Sequence, residues 1–202
     1  MTFPRVMLFI AAMVVAVALG LTINALFLDQ SRPKSTTIGV AAIGGPFELV
    51  DHQGRKVRDS DYRGSYLLVM FGYTFCPDVC PTELQLITEA MELLGPEASK
   101  VQPLLITVDP ERDTAEILAD YVGNFHPAII GLTGSVEQVK SAARAYKVFF
   151  AKGEADSEGD YFMDHSSFIY LMSPDGAYLH HFAPNMPAEA MAERIRAEIS
   201  EN

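Results

Sequence analysis

Cysteine is scarce in this chain, with two in 202 residues. So few thiols exclude a disulfide scaffold, which needs several bridges, and a closed structural zinc centre, which takes four Cys or His ligands. Positive charge is also short, with 15 Lys and Arg against 26 Asp and Glu. A nucleic-acid binder needs a basic patch to meet the phosphate backbone, so that class is excluded too. There is no internal repeat and no low-complexity block. Charge of either sign is missing from Val6 to Leu28, where only Thr22 and Asn24 are clearly polar.

That uncharged run is long enough for a helix crossing roughly 30 Å of hydrocarbon. Arg5 and the terminal amine precede it, so the positive-inside rule keeps the N-terminus cytoplasmic and exports the rest. The expected organisation is an anchor over residues 1–28, a polar linker over 29–40 and one domain over 41–202. A single-pass protein of a bacterial-type inner membrane follows, with its C-terminal domain in the periplasm or an equivalent exported compartment. Ala16-Val17-Ala18 could pass for a signal-peptide cleavage site, but the apolar stretch continues well beyond it, which favours an uncleaved anchor. The part after Leu28 holds 14 basic and 26 acidic residues, formally −12. That suits solubility and mildly favours cations or a basic partner.

Beyond the linker, Phe47–Val50 and Lys56–Val57 flank Asp51-His52-Gln53-Gly54 and predict a hairpin. The apolar runs Tyr66–Phe71 and Leu104–Val108 suit strands buried on both faces. A helix is expected from Pro81 to about Leu94, stopped by Gly95-Pro96. Asp113 with Glu116, and Ser135 with Gln138, read as capping boxes of two more helices, reaching about Val122 and Tyr146. Ile129–Leu132 is another short apolar run and Val148–Ala151 a further strand. Residues 152–160 form a solvated loop. Ser167–Met172 and Ala177–Phe182 predict a hairpin, and Pro187 opens a last helix to about Ile199. The order predicts an α/β domain, a small central mixed sheet flanked by helices with an extra N-terminal hairpin. Such sheets place ligands beyond the carboxyl ends of their strands.

Both cysteines lie at such an end, in Phe71-Gly72-Tyr73-Thr74-Phe75-Cys76-Pro77-Asp78-Val79-Cys80-Pro81. Thiols four residues apart at a helix start share a face, and the helix N-terminus favours their thiolate forms. Three outcomes are open: dithiol–disulfide cycling, binding of a soft cation, or both. Thiolates with imidazole suit Cu(I) and, with adjustment, Cu(II). Of the five histidines, His52 reads as a solvated turn residue and His126 as a packing residue. His180 and His181 alternate on a strand and point to opposite faces. His165 differs, because it follows an acidic loop at the entrance to a strand, where Asp164 could fix its tautomer. Asp78 is expected to stabilise its loop through backbone hydrogen bonds, Met163 to pack, and Tyr73 and Phe75 to wall the site.

The segments GYTFCPDVCPTEL (72–84), VDPERDT (108–114), GLTG (131–134) and DHSSFIYLMSPDG (164–176), in this order, resemble the Sco (SenC) family over about Pro46 to Phe182. That family comprises membrane-anchored copper proteins with a thioredoxin-like fold. The resemblance implies one copper ion, as Cu(I) and Cu(II), on Cys76, Cys80 and His165. Ala115 stands where the family usually has proline after R-D-T, at a helix start away from the ligands. The implied function is delivery of copper to the dinuclear copper centre of a respiratory cytochrome c oxidase. Its partners would be the oxidase copper-site subunit and other copper chaperones, and the chain would not be a conventional enzyme. The competing expectation is a membrane-anchored thiol–disulfide reductase that keeps the oxidase's cysteines reduced, with Cys76 and Cys80 as its redox pair.

Overall fold

The computed structural model describes residues 43–157 and 159–201. The predicted anchor and linker lie outside them. Among the described residues no helix is long and apolar enough to cross a membrane.

The strands are β1 (Glu48–Asp51), β2 (Lys56–Arg58), β3 (Tyr66–Gly72), β4 (Val101–Thr107), β5 (Ile130–Thr133), β6 (Phe150–Lys152), β7 (Met163–His165), β8 (Ile169–Met172) and β9 (Tyr178–Phe182). The helices are α1 (Val79–Leu94), α2 (Ala115–Val122), α3 (Val136–Ala145) and α4 (Ala188–Glu201). Seven strands form one sheet in the order β2-β1-β5-β4-β3-β8-β9. β3, β4 and β5 run parallel, and antiparallel strands continue the sheet on both sides. This is the mixed α/β architecture expected from the apolar runs.

β3 is central, and all of its residues are buried. Leu68, Val69, Met70 and Phe71 are each 0% exposed, and burying one such side chain contributes about 1.5–3 kcal/mol. A strand covered on both faces cannot alternate polar and apolar residues, which is why YLLVMF reads as an unbroken apolar run. α1 ends as expected: Gly95 adopts φ 58°, which glycine takes without strain, and its N–H returns to the Glu92 carbonyl. Ser135 and Gln138 form the expected capping box of α3.

Two local expectations are corrected. The cap of α2 is Thr114, whose hydroxyl accepts from Ile117 N–H. Asp113 is fully buried instead. Its carboxylate accepts from Thr74 N–H at 3.0 Å, Thr74 Oγ1 at 2.6 Å and Thr107 Oγ1 at 2.6 Å. Buried donors around one acceptor outweigh an exposed cap. The second correction concerns β6 and β7. They pair with each other as a separate antiparallel ribbon, Phe150 opposite His165 and Lys152 opposite Met163. His165 therefore belongs to this ribbon and not to the start of β8.

Candidate metal centre

β3 runs out at Gly72, and the chain turns through the first cysteine into α1. Cys76 is half-buried ahead of the helix, while Cys80, in its first turn, is 0% exposed. Both thiols are free, and Cys80 N–H points to Cys76 Sγ at 3.4 Å. Gly72 makes this approach possible: a Cβ there would stand 2.9 Å from Cys80 Sγ. The sulfur thus lies against the carboxyl end of the central strand, the position open α/β sheets reserve for ligands.

His165 arrives from the ribbon. Its Nδ1 lies 3.1 Å from the Ser166 carbonyl. A carbonyl only accepts, so this hydrogen bond assigns the proton to Nδ1 and leaves the Nε2 lone pair free. Nε2 stands 3.6 Å from Cys80 Sγ. Tyr73 meets the imidazole edge-on, with ring centroids 5.8 Å apart. Donor atoms of Cys76, Cys80 and His165 all lie within 4.8 Å of one another, the single grouping among the described residues that could hold a metal ion.

Burial governs the electrostatics. Desolvation pushes the Cys80 thiol far above its ordinary range, and neighbouring Cys76 adds to this; the Tyr73 backbone N–H offsets a part. The expectation that the helix start favours a thiolate is therefore overturned at Cys80, because loss of water outweighs the helix dipole. Desolvation also lowers the His165 pKa, opposed by the Ser166 carbonyl and the charge of Asp164. The imidazole is accordingly neutral and ready to coordinate at neutral pH.

Several neighbours differ from their sequence readings. Asp164 is exposed, and the tautomer is set by Ser166 in its place. Asp78 caps α1 without a side-chain hydrogen bond; its carbonyl accepts from Thr82 N–H at 3.2 Å and Thr82 Oγ1 at 2.8 Å. His52 Nδ1 accepts from Gly131 N–H at 3.0 Å, so it ties the hairpin turn to β5 and is not simply solvated. His180 and His181 have ring centroids 5.9 Å apart, His180 packing on Phe182 and His181 on Phe168 and Tyr178. His126 packs as expected, its Nδ1 accepting from Ala128 N–H. Met163 packs into the core, and Tyr73 and Phe75 border the site, Phe75 46% exposed against Phe162.

Sequence reasoning missed Glu83, Asp109, Arg112 and Tyr161. Glu83, one turn after Cys80 on α1, is 3% exposed, and neither carboxyl oxygen has a hydrogen-bond partner among the described residues. Desolvation raises its carboxyl to about 7. Its sequence signal is its position on the inward stripe with Cys80, Leu84 and Ile87. Arg112 and Asp109 stood in the quoted VDPERDT segment with no contact to suggest a role.

The donor set fits a soft ion. With bonds of about 2.0–2.3 Å to nitrogen and sulfur, three trigonal ligands stand roughly 3.5–4 Å apart, and the Cys80–His165 separation of 3.6 Å is already of that size. Two sulfurs and one imidazole make the composition that suits Cu(I).

Together these features define a thioredoxin-like α/β domain with a metal-ready Cys–Cys–His cluster at its sheet end. Residues 35–200 match the SCO1/SenC family, and the chain belongs to that family. It is 41% identical over 174 residues to Protein SCO2 homolog, mitochondrial, of Bos taurus, covering 85% of this chain and 65% of the bovine protein, just under two thirds of that relative's length. SCO2-like protein RP587 of Rickettsia prowazekii is 39% identical, over 94% of this chain and 97% of that one. The crystal structure of Arabidopsis thaliana ScoI with copper bound is similar at a TM-score of 0.75 and 40% identity, covering 80% of this chain and 100% of that one.

Proposed function

We propose that this chain binds one copper ion on Cys76, Cys80 and His165 and delivers it to the dinuclear copper centre of a cytochrome c oxidase during assembly. The observation that carries the reading is the convergence of three donor atoms within 4.8 Å, two from the loop and first turn of α1 at the sheet end and one from a separate ribbon. Membership of a family with copper-bound structures supports copper as the ion. Three ligands leave a coordination position open, and hand-off requires one, since a receiving ligand must enter before the donor's ligands leave. Cys76 is the half-exposed thiol, so it is the ligand a partner reaches first. The proposed partners are the oxidase copper-site subunit and other copper chaperones. Residues 1–28 would anchor the domain to a bacterial-type inner membrane, N-terminus cytoplasmic, with copper exchanged on the exported side.

The convergence of His165 on the two sulfurs favours delivery over reduction. Thiol–disulfide exchange uses no imidazole, whereas metal binding does, and a metal ion displaces the proton of a buried thiol such as Cys80 on binding. The test compares oxidase assembly in cells carrying His165→Ala or Cys76→Ser at equal protein levels. Delivery requires both variants to fail. Normal assembly with His165→Ala and failure with Cys76→Ser would assign the chain to thiol–disulfide reduction of the oxidase cysteines.

A further inference from the structure

The ribbon that carries His165 pairs with no strand of the central sheet, yet Nε2 stands 3.6 Å from Cys80 Sγ. Besides the core packing of Met163 and the short link into β8, side-chain contacts help to set that distance. One is the Tyr73 hydroxyl, which accepts from Met163 N–H at 3.2 Å. Another is Arg112. Its guanidinium carbon lies 3.7 Å from the Tyr161 ring centre, 4.6 Å from Phe75 and 5.9 Å from Tyr73. Tyr73 and Phe75 belong to the loop leading into Cys76, and Tyr161 to the segment leading into His165. The cation thus lies between the two halves of the site.

Its hydrogen bonding is unusual. Arg112 Nε donates to Asp109 Oδ2 at 2.5 Å, and the Tyr161 hydroxyl donates to Asp109 Oδ1 at 3.0 Å. Both terminal nitrogens are buried and lack a hydrogen-bond partner among the described residues. Ring faces in place of oxygens hold the outer guanidinium, and cation–π attraction is strongest where water is excluded. A planar guanidinium can stack on several rings at once, which a lysine ammonium cannot. Lys152 of β6 lies 3.7 Å from the same Tyr161 ring centre and pairs with Glu111 at 3.4 Å, tying the ribbon's other strand to the Arg112 loop.

We propose that Arg112 is a positioning residue for the third metal ligand: stacked between the aromatic residues of the cysteine loop and Tyr161, it fixes the β6–β7 ribbon so that His165 reaches the two sulfurs. Its metal readout rests on the copper reading above, but its effect on His165 is measurable without metal. The effect runs through the ribbon and leaves the cysteine loop, which Asp113 and the sheet hold independently.

The test uses the full chain in detergent, metal-free and reduced, as wild type, Arg112→Met, Arg112→Lys and Tyr161→Leu. Proton NMR should show nuclear Overhauser contacts between the Tyr73 and His165 rings in wild type. They should disappear in Arg112→Met and Tyr161→Leu and weaken in Arg112→Lys, with the resonances of β3 and β4 unmoved. Cu(I) affinity is then measured in a cycle with His165→Ala. Arg112→Met should weaken binding roughly tenfold with His165 present and less than about twofold without it, since coupled residues are non-additive. Intact Tyr73–His165 contacts in the folded variants would overturn the proposal. So would an equal loss of affinity in both backgrounds, which would place the action of Arg112 on the cysteines. A wild type that binds no copper would end the copper reading, while the NMR contacts would still decide the role of Arg112. If Arg112→Met does not fold, the other two variants make the same comparison.

Discussion

The two halves of the candidate metal centre are held in different ways. The cysteine half is continuous with the central strand: Gly72 admits Cys80 against the strand end, α1 carries the sulfur, and Asp113 ties the intervening loop to Thr107 of β4. The histidine half stands on a two-stranded ribbon outside the main sheet, fastened by the packing of Met163, a tyrosine hydroxyl and a guanidinium among aromatic rings. A backbone ladder is cooperative and difficult to shift locally, whereas a few side-chain contacts open at lower cost. On the proposed delivery reading, a rigid dithiol would receive the ion and a third ligand would withdraw when the ion leaves.

Substitution of the ligands should separate the halves most strongly. Cys76→Ser or Cys80→Ser should remove most Cu(I) binding, because a hydroxyl is a poor ligand for a soft ion. His165→Ala should keep a weaker two-sulfur site. Competition against a Cu(I) chelator checks both, and equal losses from all three variants would erase the distinction. Next in size, Asp113→Ala should cost about 3 kcal/mol by leaving the Thr74 and Thr107 donors unpaired. It should lower global stability in urea more than Tyr161→Leu, which strikes the segment leading into the ribbon. Gly72→Ala forces a methyl onto Cys80 Sγ and should destabilise by about 1–3 kcal/mol. Slower or incomplete metal loading should accompany that loss; unchanged loading would show that the Cys80 sulfur can move away from the strand.

A smaller effect concerns Glu83. Burial raises its carboxyl from 4.5 to about 7, so the folded chain holds this proton more firmly than the unfolded chain. Its contribution to stability is fully present below pH 4.5 and is lost as pH rises toward 7. Glu83→Gln does not titrate. From pH 5 to pH 7.5 wild type should therefore lose roughly 2 kcal/mol relative to the variant. Urea unfolding at the two values measures this, and parallel profiles would contradict a buried, titrating carboxyl.

The cysteine half was legible in the sequence for the same reason that it is rigid. The unbroken apolar run of β3, the C-x-x-x-C spacing and the Gly95 stop are local signals, and the core dictates them directly. His165 was picked out by its place after an acidic loop and by family resemblance. What fixes it was not legible, because Arg112, Tyr161 and Tyr73 are far apart in sequence and meet only through tertiary folding. Asp113 was misread as a cap because capping is local, while its real partners, Thr74 and Thr107, come from two other elements. Thiolate character at Cys80 was misjudged similarly: helix position is readable from spacing, whereas complete burial depends on Gly72 and the surrounding core.

Copper coordination tests the central claim most directly. X-ray absorption at the copper edge of the reduced, Cu(I)-loaded chain should show two sulfurs and one imidazole nitrogen per ion. The same measurement on His165→Ala should show two sulfurs alone. A wild-type ion without nitrogen, or an environment unchanged by the substitution, would contradict a centre assembled from both halves of the fold.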